Sequence, residues 1–401
     1  MNQDRPLLFN HQAADARRIG VLHPDHGQLA SLVQNWSGPQ PLRVCSGGTS
    51  SRAAADDAWT VDLQAHFNQI DWNPRDQTVW IGAGCRMGDV LTALLPHGRS
   101  ISAGLSGLPG LGYVISGGMG PLSRQLGLAV DLLQEIQGVW GHGETFHLTR
   151  RNDATTPEWR GLCGAAAFLG VVSGVRLTTQ PLQPLWIDAI QASPEQLPDW
   201  MAAAEASPAC ASLQWHWGED NLVRRLLVRS EQVERWQRIE GLHQLPALTA
   251  ASPQHPRIHA EVVGLLGPAC AERWRLLVPA LSRLISKRPH PSCSLACQQL
   301  GHATGDVPVG ATSFIHRDAI WKPWITAAWP AGDPAARANS LLWLQDMWSL
   351  LEQVCPGVHL AQLHDHLPFH QNELALAYGD WLPGLKSLKA RLDPDGKLPA
   401  L

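Results

Sequence analysis

Eight glycines fall between positions 104 and 127 of this 401-residue chain, in the segment SISAGLSGLPGLGYVISGGMGPLSRQLGLAVDLL. A glycine inside a regular element costs roughly 0.5–1 kcal/mol relative to alanine, because it packs no side chain and loses more backbone entropy on folding. Backbone this rich in glycine is therefore expected to turn through positive φ or to lie close to another group. A ligand held against the backbone is the candidate for that group.

Composition and charge narrow the class of protein. A length of 401 residues with 44% apolar side chains is enough for two or three domains with their own cores. The formal net charge of -4 is spread over both signs, so nucleic acid and anionic membrane are not expected partners. The N-terminus lacks the pattern of a secretory signal, which predicts a cytoplasmic protein. The eight cysteines are scattered, and free thiols are expected.

Three glycine-rich turns follow predicted strands, at residues 46–51, 104–120 and 161–170. Turns of this kind present rows of backbone N–H groups, and such concave nests bind anions without lysine or arginine. Hydroxyl groups in the first turn, and that of Ser116, would add donors. Each turn alone is better explained as a tight connection in a sheet. The three together favour a long organic cofactor with a diphosphate.

Other signatures of function are absent from the sequence. The Gly396-Lys397 pair is followed by leucine, which excludes a phosphate-binding P-loop. No Gly-x-Ser-x-Gly elbow is present, so serine hydrolysis lacks its usual nucleophile. The glycines after the strand at 78–81 are spaced GxGxxxG, and no acidic residue ends the next strand, predicted at 100–103. A dinucleotide fold of the Rossmann class is therefore not expected.

Composition changes after the proline-containing segment 181–184, which predicts a domain boundary there. Residues 1–182 form the predicted glycine-rich domain, and residues 183–355 a second, α+β domain with an antiparallel sheet. Its best strand is SLQWHW at 212–217, in which alternate side chains share one face. The final segment, 356–401, is predicted to return to the first domain and to end in a helix.

Four segments in a fixed order carry a resemblance to a known family. They are VCSGGTS, TVWIGAGCRMGDVLTALLPHG, the glycine-rich segment ending GGMGPLSRQLGLAVDLL, and LCGAAAFLGVVSGVRL. This order resembles the FAD-binding domain of the p-cresol methylhydroxylase and vanillyl-alcohol oxidase type. The ending AYGDWLPGLKSLKARLDPDGKL is similar to the berberine-bridge-enzyme-like branch. The resemblance implies an α+β fold, with a two-subdomain FAD-binding domain beside an α+β substrate domain.

Carried onto this sequence, the resemblance implies FAD as the cofactor and identifies its binding residues. The first turn would cradle the diphosphate, the second would run beside the flavin ring, and the third would hold the cofactor through backbone atoms. The implied cofactor-binding residues are Ser46, Gly47, Gly48, Thr49 and Ser50 in the first turn, Gly104, Leu105, Ser106, Pro109, Gly110, Gly112, Ser116, Gly117, Gly118 and Gly120 in the second, and Gly170, Val171 and Val172 in the third.

The chain departs from the family pattern at two places that bear on the cofactor. Many members attach FAD covalently through a histidine after the first Gly-Gly pair and a cysteine in the second turn, where this chain has Thr49 and Ser106. FAD is therefore expected to bind non-covalently. The third turn reads Ala165-Ala166-Ala167 instead of glycines, and the added methyl groups tighten the space beside the ligand. A flavin-binding or degenerate member without turnover is the alternative.

Oxidation at a flavin usually needs a base for the hydroxyl or amine of the donor. The tyrosine that often serves in the berberine-bridge-like branch is missing, because its segment reads Leu363-His364-Asp365-His366-Leu367. The candidate base is His364 or His366 beside Asp365, since imidazole titrates near neutral pH. Alternation along a strand would put both histidines on one face, which also allows a metal site with His370 or His359. Hydrogen-bonded structural histidines are the third interpretation.

These observations predict a cytoplasmic FAD-dependent oxidoreductase that removes hydride from a small organic donor, an alcohol or hydroxy acid. The electron acceptor is oxygen or an unidentified molecule. Pro109 lies where the family controls oxygen access, and it would not block oxygen. The oligomeric state is left open. A histidine-based metalloprotein is the interpretation from another class of function.

Overall fold

The computed structural model describes residues 6–102, 104–218, 220–246 and 257–401. Its first part is built on a small parallel sheet with strand order β1-β3-β2. The elements are β1 (Gly20–Leu22), β2 (Arg43–Cys45), β3 (Trp59–Asp62), α1 (His11–Asp15) and α2 (Leu29–Gln34). Val33 of α2 and Val61 of the central strand are fully buried in the core. Strand β2 ends at Cys45, so the first glycine-rich turn begins where this sheet stops.

A five-stranded antiparallel sheet with order β4-β5-β9-β7-β8 forms the second part, and β6 pairs separately with β10. The strands are β4 (Ile70–Asn73), β5 (Thr78–Gly82), β6 (Arg99–Ser100), β7 (Leu133–Trp140), β8 (Thr145–Thr149), β9 (Gly170–Thr178) and β10 (Gln180–Pro181). The helices are α3 (Met87–Leu94), α4 (Leu111–Ile115), α5 (Ser123–Leu126), α6 (Arg150–Asp153) and α7 (Pro157–Leu169). The strand predicted at 100–103 is thus shorter, and its last residue lies outside the described residues.

Helix α7 occupies most of the segment in which the sequence predicted only a glycine-rich turn. The Thr156 side chain caps it by accepting a hydrogen bond from the Trp159 N–H, and Pro157 fits the first turn. The helix is interrupted at residues 163–165, where Gly164 has a φ of 132°. Glycine adopts this conformation at little cost. Glycine spacing alone does not distinguish a broken helix from a loop, so the helix around the break was missed.

The third part contains an eight-stranded sheet with order β14-β11-β13-β12-β16-β17-β15-β18. Its strands are β11 (Leu185–Ala192), β12 (Ala211–Trp217), β13 (Val223–Arg229), β14 (Gln237–Ile239), β15 (Ile258–Leu266), β16 (Ser294–Gln299), β17 (Trp321–Pro330) and β18 (Gly357–Val358). The helices of this part are α8 (Leu197–Glu205), α9 (Ala271–Ser286) and α10 (Pro334–Leu351). On one face, Leu213, Trp215 and Trp217 are buried as predicted, and Trp215 packs edge-on against Trp274 of α9.

The other face of this sheet carries a row of buried polar residues. Gln214 of β12 lies opposite Gln298 of β16, and Gln298 lies opposite Lys322 of β17. All three side chains are at least nine-tenths buried. Burying a polar group costs free energy unless the group is hydrogen-bonded. A row of buried polar side chains therefore indicates a role other than core packing.

The end of the chain packs against its first part. Helices α11 (His370–Tyr378) and α12 (Leu382–Leu392) follow β18, and Leu388 of α12 lies against Gly161 of α7. The His142 N–H donates to the Leu392 carbonyl at 2.8 Å, and the Leu42 N–H donates to the Lys397 carbonyl at 2.8 Å. These contacts bring residues near 360–366, which lie between the large sheet and α11, close to the glycine-rich turns.

A buried ion pair joins the second and third parts. Arg317, in the loop before β17, donates to both carboxylate oxygens of Asp131 at 2.7 and 2.8 Å. Arg124 lies nearby in sequence but pairs differently, donating to the carbonyls of Ser207 and Leu300 at 2.8 and 3.4 Å. Both arginines therefore hold the large sheet against the glycine-rich part of the chain.

Candidate active site

The three glycine-rich turns meet at one cavity of about 420 Å³. Twelve of the eighteen residues predicted to bind the cofactor line it. They are Ser46, Gly47, Gly48, Thr49 and Ser50 from the first turn, Pro109, Gly110, Gly112 and Ser116 from the second, and Gly170, Val171 and Val172 from the third. Segments more than a hundred residues apart in sequence therefore form one binding surface.

The other six predicted residues lie outside the walls of this cavity: Gly104, Leu105, Ser106, Gly117, Gly118 and Gly120. Gly104 lies against the Tyr113 ring, and Ser106 is exposed to solvent. The carbonyls of Gly117 and Gly118 accept hydrogen bonds from the N–H groups of Val130 and Ala129. These glycines shape the turn that positions Tyr113 and Ser116, and no direct contact with the cavity is present.

The first turn has the properties of an anion nest. Across the described residues, no protein acceptor is found for the backbone N–H groups of Gly47, Thr49 and Ser50. Unpaired N–H groups on a concave loop are the donors that a diphosphate requires. The hydroxyls contribute less than the sequence predicted, because Ser46 donates to the Ala83 carbonyl and Ser51 donates to Glu261. The turn therefore fits a diphosphate through its backbone.

Two arginines at the cavity were not predicted from the sequence. Arg43, at the start of β2, and Arg52, just after the first turn, both line the cavity. Arg43 Nη1 lies 2.5 Å from Asp365 Oδ2, and Arg52 Nε lies 3.8 Å from Asp365 Oδ1. One carboxylate therefore faces two guanidinium groups, and positive charge is left to favour an anionic ligand.

The alanine run lies in the wall of the same cavity. Ala165, Ala166 and Ala167 all line it, with Ala165 the last residue of the break in α7 and the other two directly after it. The break turns the chain so that Phe168 follows at the cavity, where the Arg52 guanidinium lies 5.4 Å from its ring centre. The three methyl groups therefore reduce the space available to the cofactor, as expected, without closing the cavity.

The histidines proposed as base lie in a turn and not in the strand that alternation predicted. No strand is assigned to residues 363–369, yet His364 and His366 both reach Glu261 of β15. His364 Nδ1 lies 2.6 Å from Glu373 Oε1, and its Nε2 lies 3.4 Å from Glu261 Oε2. His366 Nε2 lies 2.6 Å from Glu261 Oε1. Of the two histidines, His364 lines the cavity.

Charges within this group of side chains are strongly coupled. Burial opposes the charged form of His366, but hydrogen bonds to Asp365 and Glu261 raise its pKa to about 9. Burial likewise opposes ionisation of Glu261, yet the hydrogen bond from His366 and the charges of both histidines hold the Glu261 pKa below its ordinary value. His366 is therefore an imidazolium at neutral pH, a form that cannot accept a proton.

Asp365 supports this arrangement and does not contact the cavity. Despite burial, its hydrogen bond from His366 and the charges of Arg52 and Arg43 hold the Asp365 pKa well below its ordinary value. Gln12 and Ser51 donate to Glu261 at 2.9 and 2.8 Å, so Glu261 is fully satisfied. The group joins α1, the first turn, β15 and the C-terminal segment, which is a structural role that the sequence pattern did not show.

A second polar group lies behind Tyr113 and Gln362, which line another wall of the cavity. His359 is fully buried, its Nδ1 lies 3.3 Å from Gln362 Oε1, and its ring centre is 6.1 Å from that of Tyr113. The backbone N–H of His359 donates to the carbonyl of Gly264, which lies opposite Trp324 in the sheet. The Lys322 ammonium lies 4.6 Å from the Trp324 ring centre. His359, Trp324 and Lys322 are thus behind this wall and do not line the cavity themselves.

Lys322 is 5% exposed and has no carboxylate partner among the described residues. Burial lowers its pKa to about 8, so the side chain is still mainly charged at neutral pH. A cation–π contact contributes about 0.5–2 kcal/mol. Desolvating an ion costs several kcal/mol. The indole ring alone therefore does not offset the burial of this ammonium.

No group of three or more histidine, cysteine or acidic side chains with the arrangement of a metal site occurs in residues 6–102, 104–218, 220–246 and 257–401. His370, which the sequence suggested as a third ligand, lies 3.5 Å from Glu373 and 3.4 Å from the Ala400 carbonyl. His359 lies apart from them, beside Gln362. The structure therefore does not bring the candidate ligands together.

Glu261 and Lys322 were not predicted from the sequence, although each stands out within its own strand. Glu261 is the only carboxylate in the strand IHAEVVGLL, and Lys322 is the only charged residue in WKPWITAAWP. A single charged side chain in an otherwise apolar strand is costly to bury and often has a specific partner or task. The tryptophans gave a weaker signal, because Trp215, Trp217, Trp321 and Trp329 are core residues.

Part of the chain is similar in sequence to known FAD-binding proteins. The family described as FAD binding domain matches residues 25–149. An FAD-dependent monooxygenase of Arthrobotrys oligospora is 28% identical over 175 residues, covering 44% of this chain and 33% of that protein. An FAD-linked oxidoreductase of Penicillium janthinellum is 26% identical over 186 residues, covering 45% of this chain and 41% of that protein. The chain therefore spans less than half the length of these curated relatives.

Solved structures match over nearly the whole chain. Chitooligosaccharide oxidase superposes with a TM-score of 0.81 at 16% identity, covering 97% of this chain and 94% of that one. Berberine bridge enzyme from Eschscholzia californica superposes with a TM-score of 0.79 at 15% identity, covering 98% and 92%. At such identities the likeness concerns the fold.

The chain therefore has an α+β fold, and its residues 25–149 match the FAD binding domain family. Within that class it has the fold of the berberine-bridge-enzyme-like proteins. Both the fold class and the resemblance predicted from the sequence are confirmed. Among the described helices, none has the length and apolar content needed to cross a bilayer.

Proposed function

We propose that this protein is an FAD-dependent oxidoreductase that removes hydride from a small organic donor, an alcohol or hydroxy acid. The observation that carries the proposal is the convergence of three glycine-rich turns on one cavity whose first turn offers unpaired N–H groups. A volume of about 420 Å³ lies within the range of roughly 300–1,000 Å³ found for small-molecule sites. The relatives named above as FAD-linked or FAD-dependent proteins support the same activity.

FAD would be held without a covalent bond. The backbone of residues 46–50 would hold the diphosphate, with Arg43 and Arg52 supplying positive charge at the cavity. The side chains at the two usual attachment positions are Thr49 and Ser106, neither of which is the histidine or cysteine of the covalent relatives. When bound, FAD supplies an acceptor for a hydride taken from a C–H bond.

The base assignment made from the sequence stays a prediction, and the geometry favours His364 over His366. His364 lines the cavity, and its Nε2 lies 3.4 Å from Glu261, which is longer than an ideal hydrogen bond. His366 is held as an imidazolium by Asp365 and Glu261. In this proposal His364 would accept the hydroxyl proton of the donor, while His366 and Asp365 would keep Glu261 in place.

The proposal is tested first on the purified protein. A flavin absorbance near 450 nm, and release of FAD into the supernatant on acid precipitation, are expected for a non-covalent flavoprotein. An anaerobic screen of alcohols and hydroxy acids should bleach that absorbance, and hydrogen peroxide on readmission of air would identify oxygen as the acceptor. A colourless protein that takes up no added FAD would sink the proposal.

The base is tested with His364→Asn and His366→Asn. The first is expected to lower the rate of flavin bleaching by about 10²–10⁴-fold, the usual contribution of a general base. The second should affect stability more than rate. Equal and small rate losses in both variants would remove His364 from the base role.

A flavin-binding protein without turnover is the second candidate, and the alanine run in the cavity wall is the observation that favours it. It predicts bound FAD that no donor bleaches. A variant with glycine at positions 165, 166 and 167 would then bind FAD more tightly without gaining activity. A cytoplasmic location and a small-molecule electron acceptor belong to the oxidoreductase proposal and remain to be tested with it.

A further inference from the structure

The wall of the cavity at Tyr113 and Gln362 leads to two buried polar groups that the proposed function does not use. The Tyr113 ring is next to the His359 ring, and Gln362 lies within hydrogen-bonding distance of His359 Nδ1. His359 in turn lies over Gly264, beside Trp324 and the Lys322 ammonium. Both groups thus lie behind Tyr113 and Gln362, on the side of the large sheet, and are not themselves among the residues that line the cavity.

His359 places a hydrogen-bond acceptor behind this wall. Gln362 Oε1 can only accept, so His359 Nδ1 carries the proton in their hydrogen bond. Burial and the nearby charge of Lys322 lower the pKa of His359 well below its ordinary value, which keeps the ring neutral. A neutral ring with a protonated Nδ1 has a lone pair on Nε2. Nε2 has no hydrogen-bond partner within the described part of the chain, although it is buried.

Lys322 places a cation behind the same wall. Its ammonium has no hydrogen-bond acceptor or carboxylate within the described ranges, and it lies over the Trp324 ring. Gln298, directly opposite Lys322 in the sheet, has a buried Nε2 that also lacks a partner among the described residues. Unpaired donors and a cation next to an unpaired acceptor indicate a site whose polar partner comes from a ligand.

We propose that Lys322 and His359 form the recognition site for a donor that carries a carboxylate beside its hydroxyl group, which is a hydroxy acid. The Lys322 ammonium would bind the carboxylate, and His359 Nε2 would accept the hydrogen bond of the hydroxyl. The inference rests on the proposed oxidation and narrows its substrate class. It makes His359 the acceptor of the hydroxyl hydrogen bond, and so replaces His364 of the proposed function in that role, where the sequence had predicted His364 or His366.

The chemistry of the two groups explains why one kind of ligand fits both. A neutral alcohol would satisfy His359 and leave the ammonium unpaired. A simple carboxylate would pair with Lys322 and leave the lone pair of His359 Nε2 without a hydrogen-bond donor. A hydroxy acid satisfies both, and the planar Trp324 ring beside them suits an apolar or aromatic substituent.

The test measures binding of three related molecules by isothermal titration calorimetry: mandelate, mandelamide and phenylacetate. Mandelate has both groups, mandelamide lacks the charge, and phenylacetate lacks the hydroxyl. Wild-type protein should bind mandelate about ten- to a hundredfold more tightly than either of the others, since each comparison leaves one buried group unpaired. The flavin content of the same sample is recorded by absorbance.

Lys322→Met and His359→Phe separate the two contacts. In Lys322→Met, mandelate and mandelamide should bind equally. In His359→Phe, mandelate and phenylacetate should bind equally, while retained phenylacetate binding shows that the site is still folded. Lys386→Met, which removes an exposed lysine of α12, is the matched control and should bind as wild type.

Each outcome decides the matter. The proposal would be overturned if Lys322→Met still bound mandelate more tightly than mandelamide. It would also be overturned if the wild-type protein did not prefer mandelate over mandelamide and phenylacetate. If Lys322→Met kept the preference for mandelate over mandelamide and changed the reduction potential of the flavin, Lys322 would interact with the flavin and not with the donor. If the mandelate preference is present but no flavin is bound, the oxidoreductase function fails and the recognition site stands. If neutral alcohols bleach the flavin and mandelate is not preferred, the oxidoreductase function stands and the recognition site fails.

Discussion

The backbones of Gly47 and Gly110 are in direct contact. A Cβ atom on Gly47 would lie 2.4 Å from the Gly110 nitrogen, and one on Gly110 would lie 2.3 Å from the Gly47 nitrogen. Real Cβ atoms do not approach backbone this closely, so both positions need glycine for lack of space. This contact is what holds the first and second turns together at the cavity.

Gly47→Ala and Gly110→Ala are therefore expected to separate the two turns. Each should abolish or strongly weaken FAD binding, because the unpaired N–H groups of the first turn would no longer face the cavity. Fluorescence titration with FAD measures the change. Gly310→Ala is the control, since a Cβ there meets nothing within 4 Å. Normal FAD affinity in Gly47→Ala would mean that the loop contact is not needed for binding.

The buried pair between Arg317 and Asp131 should be important for stability. Asp131→Asn leaves the guanidinium without its countercharge, and removing one partner of a buried pair costs about 3–5 kcal/mol. Chemical denaturation of the variant measures the loss. Asp199→Asn, which breaks an exposed contact with Arg275, should cost no more than about 1 kcal/mol. Similar losses in the two variants would contradict the assignment of Arg317 as an anchor between the parts.

The raised pKa of His366 makes stability depend on pH. Because the folded-state pKa of about 9 exceeds the ordinary value of 6.5, the imidazolium stabilises the fold fully below pH 6.5. That contribution is lost as pH rises from 6.5 to 9, and it amounts to roughly 3 kcal/mol at about 1.4 kcal/mol per pKa unit. Wild-type Tm should fall over this window.

His366→Gln should reduce the loss of Tm over that window. His147→Gln, which changes an exposed histidine 3.3 Å from Glu135, should behave as wild type. A variant that loses as much Tm as wild type between pH 6.5 and 9 would show that His366 is not held as the imidazolium.

Binding of a hydroxy acid should also depend on pH, through Lys322. Burial lowers the Lys322 pKa to about 8, and Cys297 and His359, with His316 beyond it, are the titratable groups around it. Mandelate affinity should be constant below pH 8 and should fall by up to about tenfold per pH unit above it, as the ammonium loses its proton. Calorimetry from pH 6 to pH 10 measures this. Lys322→Met should show a flat profile, and a flat wild-type profile would argue against carboxylate binding by the ammonium.

The sequence predicted the turns well because their signal is local. Glycines crowd where strands end, and that pattern places Ser46 and Gly110 in loops without knowledge of the fold. The third turn is the exception, because α7 occupies most of it and Gly170 begins β9. The partners of Glu261 are 249, 210 and 105 residues away, at Gln12, Ser51 and His366. Such contacts depend on sheet register and on the path of the C-terminal segment, which one sequence does not reveal.

The histidines show the same limit more sharply. Alternation predicted that His364 and His366 share one face of a strand, but they lie in a turn and meet through a carboxylate from β15. The polar row on the large sheet needed the pairing of Gln298 with Lys322 across two strands. Residue spacing within a segment predicts local conformation. Contacts between segments that are distant in sequence are seen only in the structure.

The carboxylate of Glu261 has a further consequence for the outer border of the large sheet. Strand β15 is paired with β18 only at Leu265 and Leu266, so residues 258–263 would otherwise offer unpaired backbone groups on that edge to another chain. Helix α1 and the turn at 364–366 cover this edge, and their bonds to Glu261 hold them there. Exposed sheet edges are common sites of aggregation. The side chain that organises the histidines therefore also holds in place the segments that cover this edge.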